Sequence, residues 1–225
     1  TEGYYHTQNT LSTLEKLSRF LENDANDKIH LRLRQPAQTL FAFITARCAG
    51  GLDHFGQIDV LMSCAGRRAH QDFWQISYEE WEKTFAVNLH SLFYLAKAVV
   101  PSMMKRRSGS IIALGGQASV TSQPQRAHVI ASKHGLFGLI KALALELGPY
   151  NVRANLIALM TIENIRANPE WYGGHTGPTQ EELDAIPLKR AGKPQEVANV
   201  AVFLASEQSS YVTGDRILCG GGKYM

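Results

Sequence analysis

Cysteine is scarce in this chain, and its few positions follow no recognisable framework. The 225 residues contain three cysteines, at Cys48, Cys64 and Cys219. Their separations match neither a zinc-binding pattern nor the paired spacing of a disulfide-stabilised secreted domain. We therefore expect no metal site and no disulfide scaffold, and the composition suits a reducing compartment such as the cytoplasm.

Long apolar runs and a strong excess of one charge are also missing. No apolar stretch reaches the roughly 18 residues needed to cross a bilayer, and no signal peptide is visible. Lysine and arginine number 23 against 20 aspartates and glutamates, and the basic residues are dispersed. Their densest cluster, at 105–107, lies at a predicted helix end, where cations complement the helix dipole. We therefore expect neither a membrane partner nor a nucleic-acid partner.

What the chain does carry is an alternation of strands and helices. GSIIAL at 109–114 is typical of a buried strand, and residues 129–147 place apolar side chains at helical spacing. DVLMS at 59–63 predicts another strand, followed by a helix over about 77–105. Upstream, the pattern predicts a helix over 8–23, a strand over 29–33 and a helix over about 36–49. The length fits one α/β domain with a substantial core.

Four segments resemble the classical short-chain dehydrogenases/reductases, and they occur in that family's order over residues 28–225. FGQIDVLMSCAG at 55–66 resembles the family's strand that ends in Asn-Asn-Ala-Gly, and residues 81–104 resemble its next helix. ASKHGL at 131–136 resembles the start of the Tyr-x-x-x-Lys helix, and residues 188–222 resemble the C-terminal quarter. The resemblance implies a single domain over 1–225 with a Rossmann-like, doubly wound parallel sheet.

The N-terminal β–α–β unit of that family has no counterpart in the sequence. No Gly-x-x-x-Gly-x-Gly turn occurs before residue 28, so the backbone amides that cradle a dinucleotide pyrophosphate have no visible source. The family's first strand is central in its sheet, and deleting it would expose apolar surface. Either the natural protein carries a preceding segment of some tens of residues, which we favour, or it has lost this unit.

The resemblance also implies a catalytic set that this chain does not keep. The family's hydride transfer needs a phenol that exchanges a proton, an ammonium that lowers its pKa, and a hydroxyl that holds the substrate oxygen. Val129 stands at the tyrosine position and Gly116 at the serine position, while Asn88 and Lys133 are retained. We interpret the retained pair as vestigial: Asn88 would pin a helix kink, and Lys133 would pair with a local carbonyl or acid. The alternative is that they still bind a ribose hydroxyl or a water chain.

Nearby side chains are candidates for relocated catalytic groups. His128 and His134 neighbour the expected positions, but one step along a helix rotates a side chain by about 100°. We expect both histidines to face solvent. Ser119, Thr121 and Ser122 lie in the preceding loop and could reach inward.

Positions that contact the cofactor in the family depart from its pattern as well. The departures are at Arg32, Ser63, Cys64, Leu159, Met160 and Asn164. Arg32 stands where the family has an acidic residue near adenine, and Asn164 where it has a threonine. Ser63 and Cys64 replace the family's Asn-Asn, and Leu159 and Met160 replace its Pro-Gly. The larger side chains at 159 and 160 would partly fill the nicotinamide pocket. We expect no cofactor on this chain and NAD(P) on a partner subunit.

Two further regions bear on ligands and assembly. Residues of about 161–187 correspond to the family's substrate lid, in which Trp171 and Tyr172 could close over an apolar ligand or form a fixed packing surface. The helices matching 83–105 and 130–149, and the strand at 216–220, join subunits of the family's tetramers. Both helices are apolar on more than one face, which indicates burial, so we expect association to be retained.

Three hypotheses of function follow. The first is a non-catalytic, structural or regulatory subunit that forms a heterotetramer with a catalytically intact family member, such as a hydroxyacyl-CoA dehydrogenase. The second is an active NAD(P)-dependent oxidoreductase with relocated catalytic groups. The third is a ligand-sensing protein that reuses the fold's pocket.

Overall fold

Four parallel strands in the order β1–β2–β3–β4 form the sheet of this computed structural model, which describes residues 56–163 and 176–224. The strands are β1 (Val60–Ser63), β2 (Gly109–Leu114), β3 (Val152–Leu159) and β4 (Arg216–Cys219). Because parallel neighbours need a crossover, each connection carries a helix across a face of the sheet. The predicted α/β fold with a parallel sheet is confirmed.

One long helical segment connects β1 to β2. Helix α1 (Tyr78–Phe85) begins after Ser77, whose Oγ accepts a hydrogen bond from the Glu80 amide at 3.1 Å. It continues through a π-helical turn, Ala86–His90, into α2 (Ser91–Arg106). The helix predicted over 77–105 is therefore present, with a wide turn in its middle that the apolar spacing does not reveal.

The remaining helices are α3 (Ala127–Leu147), α4 (Gln180–Asp184) and α5 (Pro194–Ala205). Helix α3 connects β2 to β3, and a 3-10 turn, Gly148–Tyr150, leads to Asn151 in the left-handed conformation before β3 starts. The chain from β3 to β4 contains α4 and α5. No helix in the two described ranges is both long and apolar enough to cross a bilayer.

The core lies on both faces of the sheet because the strand residues alternate between them. Ile111 and Ala113 point to the face covered by α2 and α3, whereas Ile112 and Ile157 point to the face covered by α5. Burying each of these larger aliphatic side chains contributes about 1.5–3 kcal/mol. The sheet is thus covered on both sides, and its carboxyl edge, where the four parallel strands end, is the open rim.

Several predictions concern residues outside the described ranges. The secondary structure predicted over 1–55, which includes Arg32 and Cys48, lies outside them. So do Asn164 and the lid residues Trp171 and Tyr172.

Candidate functional site

The carboxyl ends of β1, β2 and β3 lie side by side because the three strands are parallel. Residues 64–66 follow β1, Gly115 and Gly116 follow β2, and Met160 follows β3. Helix α3 packs against β3 and lines this edge on the core side. In open α/β sheets, ligands bind beyond this edge, so the geometry of these residues decides what the site can do.

Lys133 connects the ends of two strands. Its Nζ donates to the Leu114 carbonyl at 2.9 Å and to the Ala65 carbonyl at 3.4 Å. Only 6% of its surface is exposed. Burial, reinforced by the positive charge of Arg68, lowers the pKa of Lys133 to about 8. Of the two kinds of partner expected from the sequence, the structure therefore gives Lys133 backbone carbonyls rather than an acid.

The amide of Asn88 is occupied by protein groups. Its Oδ1 accepts from the Arg67 amide at 2.7 Å, and its Nδ2 donates to the Arg67 carbonyl at 3.1 Å and to Ser132 Oγ at 2.9 Å. The π-helical turn carries Asn88, which is 2% exposed. Ser132 Oγ in turn donates to the Val129 carbonyl. The sequence predicts neither partner, because Arg67 contributes through its backbone and Ser132 through a contact between distant segments.

Gly116 and Val129 supply no group that can transfer a proton. Gly116 has φ +69° and ψ −177°, a conformation that essentially only glycine adopts. A Cβ built there would meet only the Leu159 carbonyl oxygen, at 3.9 Å, so space is available but the backbone opposes a side chain. Val129 lies one helical turn before Lys133 and is 1% exposed. That these two positions mark a lost catalytic function stays a prediction.

The expectation that His128 faces solvent is wrong. Its side chain is fully buried, with Nε2 4.0 Å from Glu80 Oε1. Helix α1 packs across the start of α3, and Glu80 accepts two hydrogen bonds from the Arg67 guanidinium at 2.9 and 2.7 Å. Burial lowers the pKa of His128, although the Glu80 carboxylate opposes that shift, so the ring is neutral near pH 7. His128 therefore belongs to the contact between two helices.

The other relocated candidates are placed as follows. His134 is exposed, as predicted, with Nδ1 3.0 Å from the Ile130 carbonyl. Ser119 is fully buried, and its hydroxyl donates to the Gly116 carbonyl at 2.7 Å. It closes the turn that holds Gly116. Thr121 is partly buried and Ser122 is exposed in the same loop.

The predicted cofactor positions that the structure describes are largely packed into the protein. Ser63 is buried, and burial raises the pKa of the Cys64 thiol to about 11, so the thiol stays protonated. Leu159 packs toward α5, whereas Met160 is 8% exposed and packs on the opposite face. A Cβ on Gly220 would approach Met160 Cγ to 2.8 Å, which shows how closely the backbone passes there. The effect of these side chains on a nicotinamide pocket stays a prediction.

Two loops at the edge are joined by direct contacts. The Gln71 amide, in the loop after β1, donates to the Gln125 carbonyl at 2.8 Å, just before α3. Gln125 Nε2 donates to Asp72 Oδ1 at 3.1 Å, and the Arg126 guanidinium contacts His70 Nε2. Burial, followed by the charges of neighbouring cations, lowers the pKa of His70 to about 4. These contacts define the loop clamp, which consists of His70, Gln71, Asp72, Gln125 and Arg126.

A small cleft opens at the ends of β3 and β4. Its volume is about 250 Å³, and its walls are mostly apolar, with Ile162, Leu188 and Val197 among them. The ion pair of Arg190 with Glu196, at 2.7 Å, forms part of its lining. Within the described ranges, no group of three or more histidine, cysteine, aspartate or glutamate side chains is placed to hold a metal ion.

Comparison with known proteins places this geometry in a family. Residues 40–223 match a family described as enoyl-(acyl carrier protein) reductase. The chain is 38% identical to the 3-oxoacyl-[acyl-carrier-protein] reductase FabG of Thermotoga maritima over 170 residues, which cover 75% of this chain and 67% of that protein. It is 34% identical to the Escherichia coli FabG over 171 residues, which cover 76% of this chain and 68% of that protein.

A solved structure supports the same relationship. The ligand-free aldohexose dehydrogenase of Thermoplasma acidophilum matches with a TM-score of 0.73 and 31% identity. The match covers 80% of this chain and 72% of that one. The carboxyl-edge geometry, the parallel sheet and the matches to the reductases agree with the resemblance found in the sequence, and the chain belongs to the short-chain dehydrogenase/reductase family.

Proposed function

We propose that this chain is a non-catalytic subunit of a heteromeric, NAD(P)-dependent short-chain dehydrogenase/reductase. The proposal is supported by the pair Gly116 and Val129, which the sequence resemblance aligns with the family's serine and tyrosine. Neither residue can move a proton, and the buried hydroxyl of Ser119 nearby is bonded to the backbone. The surviving polar residues, Asn88 and Lys133, bond to protein groups as a structural role requires.

The partner that fits this proposal is a catalytically intact family member in a heterotetramer, and it would carry the NAD(P). Helices α2 and α3 have apolar side chains beyond those that face the core, including Phe93 at 47% exposure and Leu145 at 80%. Association through these helices would cover them. The relatives are named as reductases of 3-oxoacyl groups on acyl carrier protein, which supports an acyl thioester, such as a hydroxyacyl-CoA, as the substrate class of the complex. We place this complex in the cytoplasm.

Native mass spectrometry of the protein purified from its natural source tests the proposal. We expect a hetero-oligomer in which nucleotide is bound by the second chain alone. A homo-oligomer with one nucleotide per chain would contradict the proposal and favour an active enzyme.

Restoring the family's serine and tyrosine should not restore activity. We expect the double variant Gly116→Ser, Val129→Tyr to show no oxidation of NAD(P)H with a 3-oxoacyl thioester. The serine would be strained at φ +69°, and the cofactor positions also depart from the family's pattern. The control is the unaltered chain under the same conditions, and measurable hydride transfer by the variant alone would show that the cofactor site is intact.

A charge on the exposed side of α3 should weaken assembly. We expect Leu145→Glu to reduce the size of the complex on a sizing column without lowering the stability of the chain, because this side chain is 80% exposed. Leu143 is a poorer choice, since it packs partly against the core. Asn199→Glu is the control, because this exposed side chain lies on α5, which covers the opposite face of the sheet from α2 and α3. An unchanged elution profile for Leu145→Glu would remove this interface from the proposal.

An active oxidoreductase with relocated catalytic groups is the second candidate, and the relatives at 34% and 38% identity, which are named as reductases, favour it. Turnover of a carbonyl substrate by the purified chain alone would support it. A ligand-sensing protein is the third, favoured by the cleft of about 250 Å³ at the ends of β3 and β4. A small molecule that copurifies without nucleotide would distinguish it from the other two.

A further inference from the structure

Lys133 has surroundings that differ from those of a lysine in an ion pair. Among the ion pairs of the described residues, none includes Lys133. The charged or titratable side chains that act on it are Arg68, in the loop after β1, and the Cys64 thiol at the end of that strand. From β2 the nearest partner is the Leu114 carbonyl, and from α3 the residue one turn earlier is Val129. An amine beside a second cation, away from water, is the environment in which lysines act as nucleophiles.

The hydrogen bonds of Nζ leave room for a covalent bond to carbon. The bond to the Leu114 carbonyl, at 2.9 Å, is firm, whereas the contact with the Ala65 carbonyl, at 3.4 Å, is long. An iminium nitrogen keeps one N–H, which the Leu114 carbonyl can accept. The long contact with Ala65 would be given up at small cost.

Gly66 borders the space next to this nitrogen. A Cβ on Gly66 would lie 3.8 Å from Nζ, and no other atom is within 4 Å of that position. The missing side chain of Gly66 therefore leaves space for a small group, and the 6% exposure of Lys133 limits its size.

We propose that Lys133 forms a Schiff base with a small oxo acid that enters over Gly66, with Arg68 attracting the ligand's carboxylate. The neutral amine attacks the carbonyl carbon and forms a C–N bond. Two proton transfers then release the carbonyl oxygen as water and leave an iminium. The condensation needs no oxidant, reductant or nucleotide, so it stands independently of the proposed subunit role.

The position of Lys133 also makes the reaction feasible near neutral pH. Its pKa of about 8 leaves a far larger neutral fraction than an exposed lysine has, for which the ordinary pKa is about 10.4. The Cys64 thiol stays protonated there, because burial raises its pKa to about 11. The competing nucleophile at the end of β1 is therefore inactive.

Reductive trapping tests the proposal. The full chain is incubated at neutral pH with pyruvate as the probe and with sodium cyanoborohydride, which reduces an iminium to a stable amine. We expect the intact mass to increase by one pyruvic acid less one oxygen, and peptide mapping to place the adduct on Lys133. Labelling there should be at least ~10-fold faster than at the exposed Lys141 of α3, which has no comparable environment.

Matched variants separate this site from general lysine chemistry. Lys133→Arg keeps the charge but cannot form an imine, so the adduct should vanish, whereas Lys141→Arg should leave it unchanged. Arg68→Gln should slow labelling by pyruvate more than labelling by acetone, which has no carboxylate. Labelling spread evenly over exposed lysines, or an unlabelled Lys133, would overturn the proposal. The peptide map of the unaltered chain gives this answer even if Lys133→Arg fails to fold.

Discussion

The carboxyl edge of the sheet has two unlike corners. At the corner between β1 and α3, the buried polar side chains of Asn88, Ser132 and Lys133 make specific hydrogen bonds with protein groups. At the corner between β2 and β3, Gly116 has no side chain, and Leu159 and Met160 pack into hydrocarbon on opposite faces. One corner is rich in polar contacts, and the other contributes backbone and apolar surface.

This difference shows why the presence of a polar residue is a poor guide to activity. Asn88 and Lys133 connect the loop after β1, the π-helical turn and the end of β2 through hydrogen bonds, so both residues contribute to packing whatever their chemistry. A serine at position 116, in the other corner, would make no comparable contacts between segments. The contacts of the first corner would therefore be kept whether or not the chain is catalytic, whereas no such contacts constrain a side chain at position 116.

The largest expected effect comes from removing the Asn88 side chain from the corner between β1 and α3. Asn88→Ala removes three hydrogen bonds and leaves the Arg67 amide and carbonyl without their partner, so we expect a loss of about 2–3 kcal/mol in the free energy of unfolding. Urea denaturation measures it. Asn199→Ala, on the exposed face of α5, is the matched control and should change stability by less than about 0.5 kcal/mol. If Asn88→Ala lost as little stability as Asn199→Ala, the hydrogen bonds of Asn88 would not stabilise the fold.

A second, similar effect concerns the pH dependence of stability. The folded-state pKa of Lys133, about 8, lies below its ordinary value of about 10.4, so the unfolded chain binds more protons between these values. The free energy of unfolding should therefore rise by up to ~3 kcal/mol as the pH increases through that window. Lys133→Met should remove this contribution, and the difference between the two denaturation curves measured against pH gives its size. If the stability of the unaltered chain and of Lys133→Met changed with pH in the same way, burial would not disfavour the charged form of Lys133.

The smallest expected effect is a change in stability at Gly116, in the corner between β2 and β3. Gly116→Ala should destabilise the chain by about 1–2 kcal/mol, because φ +69° with ψ −177° strains any residue with a Cβ. Gly138→Ala, on the exposed face of α3, should instead stabilise it by about 0.5–1 kcal/mol, since alanine is the better helix former and nothing lies within 4 Å. Thermal unfolding of both variants measures the opposite signs. A stabilising Gly116→Ala would mean that this corner can readily accept a side chain.

Much of the fold follows from the sequence because its signals are local. Strand β2 has the predicted bounds of 109–114, and β1 and α3 agree with prediction to within two residues. Apolar runs and helical spacing are sufficient where each element packs against the core it faces. The order of segments then identifies the family, which in turn defines the sheet topology.

The site is less predictable, because its geometry depends on contacts between distant segments. His128 shows this: helical rotation moves it away from the tyrosine position, but only the packing of α1 across α3 determines that it is buried beside Glu80. The positive φ of Gly116 has the same origin. A glycine in the sequence permits that conformation without requiring it.

The loop clamp has a consequence for how this edge can respond to a ligand. The backbone hydrogen bond from Gln71 to Gln125 and the contact of Arg126 with His70 fasten the loop after β1 to the residues that begin α3. Neither segment can swing outward as an independent flap without breaking these bonds. A displacement of the loop that keeps these bonds intact would therefore also move the first turn of α3, which precedes Lys133.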